Sequence, residues 1–162
     1  MMRLSRLADF AVVLMTHVAQ NQHEIHSAAE MAVATRLPPP SVAKVLARLC
    51  REGLLASVRG VKGGYRLQRP AGAISVGTII RAVDGPVALT QCIRPGLGNC
   101  EVEAVCPSRR GLHALNLAVA TALEDVSLAD IALPAAAIGA STSASSLAIP
   151  PASEADQHRG SQ

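Results

Sequence analysis

Three cysteines, Cys92, Cys100 and Cys106, are separated by seven and five intervening residues in a stretch that also holds Pro95, Gly96 and Gly98. Thiolates are the ligands that zinc and iron–sulfur clusters take. Prolines and glycines let a chain wrap around a bound group, and three thiolates leave a fourth position open. The spacing lacks the paired Cys-x-x-Cys knuckles of most structural zinc sites, which lowers zinc. Spacing alone leaves open a cluster, a three-thiolate zinc site, a redox thiol switch or three unemployed cysteines. Cys50 follows Leu49 on the inner side of a periodic apolar segment and reads as a small core residue. His17, His23 and His26 have no spacing resembling a metal set and read as surface or local hydrogen-bonding residues.

A second group of residues has the chemistry of phosphate and base recognition. Residues 1 to 81 carry 11 of the 15 Lys and Arg but only 4 of the 12 acids, so a basic half precedes a mildly acidic one. That asymmetry suits a protein with one face toward phosphate and the other toward protein or solvent. Ser41, Lys44 and Arg48 recur at three- and four-residue spacing, with Arg51 beyond them. Arg59, Lys62 and Arg66 flank a glycine-rich turn. Lys and Arg meet phosphates or guanine edges, and an Arg on a flexed tip suits a narrow minor groove.

These residues need elements to hold them. Leu7, Phe10, Ala11, Leu14 and Val18 mark a first helix from Leu4 to the polar run at Gln20. Ser27 with Glu30 is a capping box opening a short second helix that stops near Leu37. Pro38-Pro39-Pro40 cannot lie inside a helix but can start one, so a third helix runs from Pro40 or Ser41 to Glu52. Val42, Val45, Leu46 and Leu49 point inward along it, and Gly53 caps it. Leu54–Val58 and Tyr65–Leu67 read as two strands with a basic tip between them. Ser75 caps a fourth helix that the Gly85-Pro86 pair stops. A long helix follows from about Pro107 to Glu124, with Leu112, Leu115, Val119, Ala122 and Leu123 on one side.

The expected architecture is mainly α: a winged helix-turn-helix with a two-stranded β wing and a long C-terminal dimerisation helix. Residues 1–86 form the DNA-binding domain, 87–106 the cysteine loop, 107–133 the dimerisation region and 134–162 a disordered tail of Ala, Ser, Pro and Gly. The near absence of aromatic residues, one Phe, one Tyr and no Trp, fits a core of packed helices. The first residues lead into an amphipathic pattern and not an apolar run, and no stretch is apolar enough to span a bilayer, so a cytoplasmic protein is expected. Four cysteines there read as thiols or ligands in preference to disulfides. No nucleophile with a base, phosphate loop or paired carboxylates marks an enzyme.

Several stretches carry a family resemblance. They are Met2-Arg3-Leu4-Ser5 with Asp9-Phe10-Ala11, Ser27-Ala28-Ala29-Glu30, and Val45-Leu46-Ala47-Arg48-Leu49 before Glu52-Gly53-Leu54-Leu55. Next come the wing Ser57-Val58-Arg59-Gly60-Val61-Lys62-Gly63-Gly64-Tyr65, then Ile74-Ser75-Val76 and Asp84-Gly85-Pro86. Together they resemble the Rrf2 family of repressors, which includes the iron–sulfur regulators IscR and NsrR, and within it the SUF-type regulators of cluster assembly. The resemblance implies a homodimer on a double-stranded operator. It also implies a 2Fe–2S or 4Fe–4S cluster held by Cys92, Cys100 and Cys106. Asp9 stands where NsrR-like members supply a fourth ligand from the other subunit. Where IscR-like members have a histidine, this chain has Arg109, with His113 one turn further on. The implied role is a regulator of iron–sulfur assembly or iron homeostasis genes. The alternatives are nitric oxide sensing, or a redox or metal module that binds protein or RNA.

Overall fold

The structure, a computed structural model, describes residues 3–90, 92–93 and 100–133. The expected tail from residue 134 and the segment with Pro95, Gly96 and Gly98 lie outside the described residues. Helix α1 (Arg6–Gln20) is the central post, capped by the Ser5 hydroxyl, which accepts from the Ala8 N–H. Its Leu14, Met15 and Val18 have no exposed surface. Each such side chain contributes about 1.5–3 kcal/mol through removal from water. Helix α2 (Ala28–Thr35) opens with the expected capping box, Ser27 accepting from the Glu30 N–H while Glu30 accepts from the Ser27 N–H. It ends at Arg36, whose φ of 55° turns the chain into α3 (Pro39–Arg51).

Two prolines open α3, and their missing N–H groups would have been unpaired in a first turn. Val42, Val45, Leu46 and Leu49 are fully buried, as their periodicity predicts. The helix ends in paired bonds, Gly53 N–H to the Cys50 carbonyl and Leu54 N–H to the Leu49 carbonyl, with Gly53 at φ +68°. Strands β1 (Leu55–Val58) and β2 (Gly64–Leu67) form the antiparallel wing, with Val58 opposite Gly64. The wing is pinned near its turn, because His26 and Tyr65 exchange both backbone hydrogen bonds. At Gly64 an added Cβ would stand 2.5 Å from the His26 carbonyl oxygen, so this close approach requires glycine.

A 3-10 turn at Ala71–Ala73 leads to α4 (Val76–Asp84), then the cysteine stretch and α5 (Arg109–Asp125). A short helix not expected from the sequence, α6 (Leu128–Ile131), follows, capped by Ser127 and Asp130. Leu128 is fully buried in the same core as α1 and α3. The chain is held there by Leu128 N–H to the Ile74 carbonyl and Val76 N–H to the Val126 carbonyl. The region assigned to dimerisation thus also completes the N-terminal core.

Candidate nucleic-acid interface and cysteine loop

Along α3 the buried stripe fixes which residues face outward. At 100° per residue, Pro40, Lys44, Ala47 and Arg51 lie opposite it, with Ala43 about a quarter-turn to one side, and all five are exposed. Ser41 and Arg48 lie about a quarter-turn to the side, and both are half-buried. The sequence reading placed Arg48 among the outward residues. In the structure its guanidinium donates to the Val83 carbonyl in the last turn of α4, where the helix dipole favours a cation. Arg48 therefore ties α3 to α4. The exposed Ala43 and Ala47 were not among the expected site residues, although Ala47 lies on the same face as Lys44 and Arg51.

On the wing, Arg59, Lys62 and Arg66 are all exposed. The turn is tight, with Gly63 N–H donating to the Gly60 carbonyl at 2.9 Å. Helix α3 and the wing together present Lys44, Arg51, Arg59, Lys62 and Arg66, a set of exposed cations on the helix and hairpin that the sequence reading singled out for DNA.

Cys92, Cys100 and Cys106 are free thiols, each half-buried. Their chemistry suits a thiolate-bound group. Among the described residues, however, no three His, Cys, Asp or Glu side chains are gathered into a metal cage. Cys92 Sγ instead lies 3.1 Å from the Thr90 hydroxyl. Between Cys100 and Cys106, Glu103 pairs with Arg109 at 3.0 Å, which occupies the side chain at the position where the resemblance has a histidine. Asp9 is exposed in the first turn of α1, where a negative charge is also favoured by the helix dipole. His113 is exposed on α5. Cys50 packs against the core, and burial pushes its thiol pKa up, away from reactivity.

His26 is the local hydrogen-bonding alternative among the histidines, and it is buried. It is 6% exposed, and its ring Nε2 donates to the Asn21 carbonyl at 3.1 Å. The His17 ring packs edge-on at 5.2 Å, and burial, followed by the His26 charge, lowers the His17 pKa.

Three polar contacts connect the cysteine stretch to α3. Asn116 of α5 accepts from the Leu89 N–H at 3.0 Å and donates to the Val87 carbonyl at 3.1 Å, pinning the entry to the loop. Glu124, at the other end of α5, accepts from Ser75 and Thr78 and pairs with Arg81 at 2.7 Å, all on α4 or its cap. Arg48 then joins α4 to α3. No residue of α5 is buried, and Leu115 and Leu117 are more than half exposed. An open cleft of about 670 Å³ beside α5 is lined in part by Leu4, Ile80, Leu89, Val119 and Leu123.

A family model described as "Rrf2: Iron-dependent Transcriptional regulator" matches residues 4–133. The chain is 32% identical over 131 residues to the regulator IscR of Vibrio cholerae, covering 80% of this chain and 75% of that protein. It is 26% identical over 131 residues to the regulator NsrR of Oceanobacillus iheyensis, covering 80% of this chain and 89% of that one. Among solved structures it is similar to CymR (YrzC), the global cysteine regulator of B. subtilis. That match has a TM-score of 0.67 and 25% identity, covering 82% of this chain and 97% of that one. The mainly helical winged fold is shared with these regulators, which are not enzymes. No helix among the described residues is long and apolar enough to cross a membrane.

Proposed function

We propose, for a chain that belongs to the Rrf2 family of transcriptional regulators, that it represses genes of iron–sulfur cluster assembly or iron homeostasis as a homodimer governed by its cysteine loop. The observation that carries the DNA-binding part is the outward face of α3 beside the exposed cationic wing. Lys44 and Arg51 meet the major groove or its phosphates, with Ser41 at the flank. Ala43 and Ala47 allow close approach, and Arg59, Lys62 and Arg66 follow the adjacent minor groove. Arg48 acts as a positioning residue, through Val83.

Dimerisation is supported by α5, whose Leu115, Ala118 and Ala122 share one stripe and are exposed among the described residues. Two copies related by a twofold axis would read a roughly palindromic site. An iron–sulfur cluster would be held by Cys92, Cys100 and Cys106, with Asp9 as fourth ligand from the other subunit, as the family resemblance implies. When bound, the cluster supplies a group sensitive to iron supply, oxidants and nitric oxide. Coupling to DNA would run through the chain's own contacts: Asn116 fixes the loop entry to α5, Glu124 fixes α5 to α4, and Arg48 fixes α4 to α3. Arg109, whose guanidinium cannot ligate iron and is paired with Glu103, stands at the IscR-type histidine position, which supports Asp9 as the fourth ligand.

The test of the DNA reading is duplex binding measured against salt. Lys44→Ala together with Arg59→Ala removes four cations from the dimer and is expected to weaken binding and to lower the slope of log affinity against log salt by about 4. A double variant with unchanged affinity and slope would remove α3 and the wing from the interface.

A further inference from the structure

The wing tip displays a side chain with no structural employment. Val61 is 106% exposed, between Gly60, at φ +120°, and Lys62. The backbone holds it there: Gly63 N–H closes the turn on the Gly60 carbonyl, and a Cβ at position 63 would stand 2.4 Å from the Val58 carbonyl oxygen. The turn is thus a tight one that presents an isopropyl group between two cations.

The chemistry of the tip is one-sided. Arg59 and Lys62 have only donors, Val61 has neither donor nor acceptor, and residues 60 and 63 are glycine. No side chain from 59 to 63 can accept a hydrogen bond. In the minor groove an A·T pair shows only acceptors, whereas a G·C pair adds the guanine N2 amino donor. Donors with an apolar filler therefore complement A·T. They leave a guanine amino group desolvated and unpaired, which is costly.

We propose that Val61 is a specificity-determining residue, seated on the minor-groove floor and selecting against guanine at the base pairs under the wing. This rests on the DNA-binding reading above. Arg59 and Lys62 take the acceptors and phosphates to either side, and Val61 excludes the water that would otherwise hydrate a guanine amino group.

The test uses the full chain and duplexes selected by it from random-sequence DNA. The positions under the wing, located by minor-groove footprinting, are expected to be A·T. Replacing adenine there by 2,6-diaminopurine adds the N2 amino group and leaves the major-groove edge intact. Wild type is expected to bind such a duplex about tenfold more weakly. Val61→Thr keeps the shape and adds an acceptor, so its loss, measured against its own affinity for the unmodified duplex, should shrink to about threefold or less. A wild-type loss below about twofold, or an equal loss in Val61→Thr, overturns the assignment of Val61 while leaving DNA binding standing. Absence of any salt-dependent, sequence-preferring binding by wild type would instead overturn the DNA reading, and this inference with it.

Discussion

Replacing Gly77 by alanine tests how the long helix is fastened to the winged body. A Cβ at position 77 has as its three nearest neighbours atoms of Glu124, at 2.7, 2.7 and 3.2 Å. The added methyl would therefore push the Glu124 carboxylate off Ser75, Thr78 and Arg81. The Arg81 side chain is 53% exposed and that of Glu124 36%, so solvent screening holds the ion pair to about 0.5 kcal/mol. The hydroxyl bonds to a charged acceptor add about 1 kcal/mol. Against this loss, alanine in place of glycine in the first turn of α4 gains about 0.5 kcal/mol through the unfolded chain. In wild type the loss outweighs the gain, and Gly77→Ala should destabilise by about 1 kcal/mol. In a Glu124→Ala background the obstacle is gone and the same change should stabilise by about 0.5 kcal/mol. Urea unfolding at fixed protein concentration, with unchanged m-values, measures the cycle. Additivity, with Gly77→Ala equally stabilising in both backgrounds, would refute the Glu124 clamp.

Further outcomes follow from the same contacts. Arg48→Ala should cost about 1–2 kcal/mol of stability through the lost charged bond to Val83 and leave the salt slope of duplex binding unchanged. Lys44→Ala should do the reverse, lowering the slope of the dimer by about 2 at constant stability. An Arg48 variant that behaves like the Lys44 one would return Arg48 to the groove. Gly64→Ala should destabilise by about 1–3 kcal/mol, because its Cβ meets the His26 backbone. Gly72→Ala, where nothing lies within 4 Å, should be near neutral by thermal unfolding.

Acid titration tests the carboxylates. The Ser75 bond holds the Glu124 pKa below its ordinary value, with Arg81 assisting against burial. Glu30 and Asp130 are lowered by their capping serines. Because these folded-state values are depressed, the stability they confer is present above the ordinary carboxylate range and is lost as pH falls through and below it. Glu124→Gln should flatten part of that acid limb, and an unchanged limb would contradict the assignment.

The sequence was most informative where structure is local. The Ser27–Glu30 capping box, the buried set of α3, the Gly53 cap and the paired wing strands are each written in residues a few positions apart, and each stands as expected. Contacts between distant residues left no such signal. The Glu124 carboxylate reaches Ser75 across 49 positions, and Arg48 reaches Val83 across 35. Helix α6 is only four residues long, too short for periodicity to register, and its burial comes from returning to the core at Ile74. Asn116 was illegible for the same reason, since its side chain acquires its role from the backbone of Val87 and Leu89. The cysteines show the opposite case: their types announce ligand chemistry, but spacing carries no information on whether one chain gathers them.

The most direct test of the account measures operator affinity and visible absorption together, on full-length protein purified without oxygen. Wild type should carry iron, sulfide and a visible chromophore, and its affinity should change by about tenfold or more when the colour is lost. The combined Cys92→Ala, Cys100→Ala and Cys106→Ala variant should be colourless, folded and fixed at one affinity. A colourless, iron-free wild type that binds its operator as the variant does would contradict control through the cysteine loop.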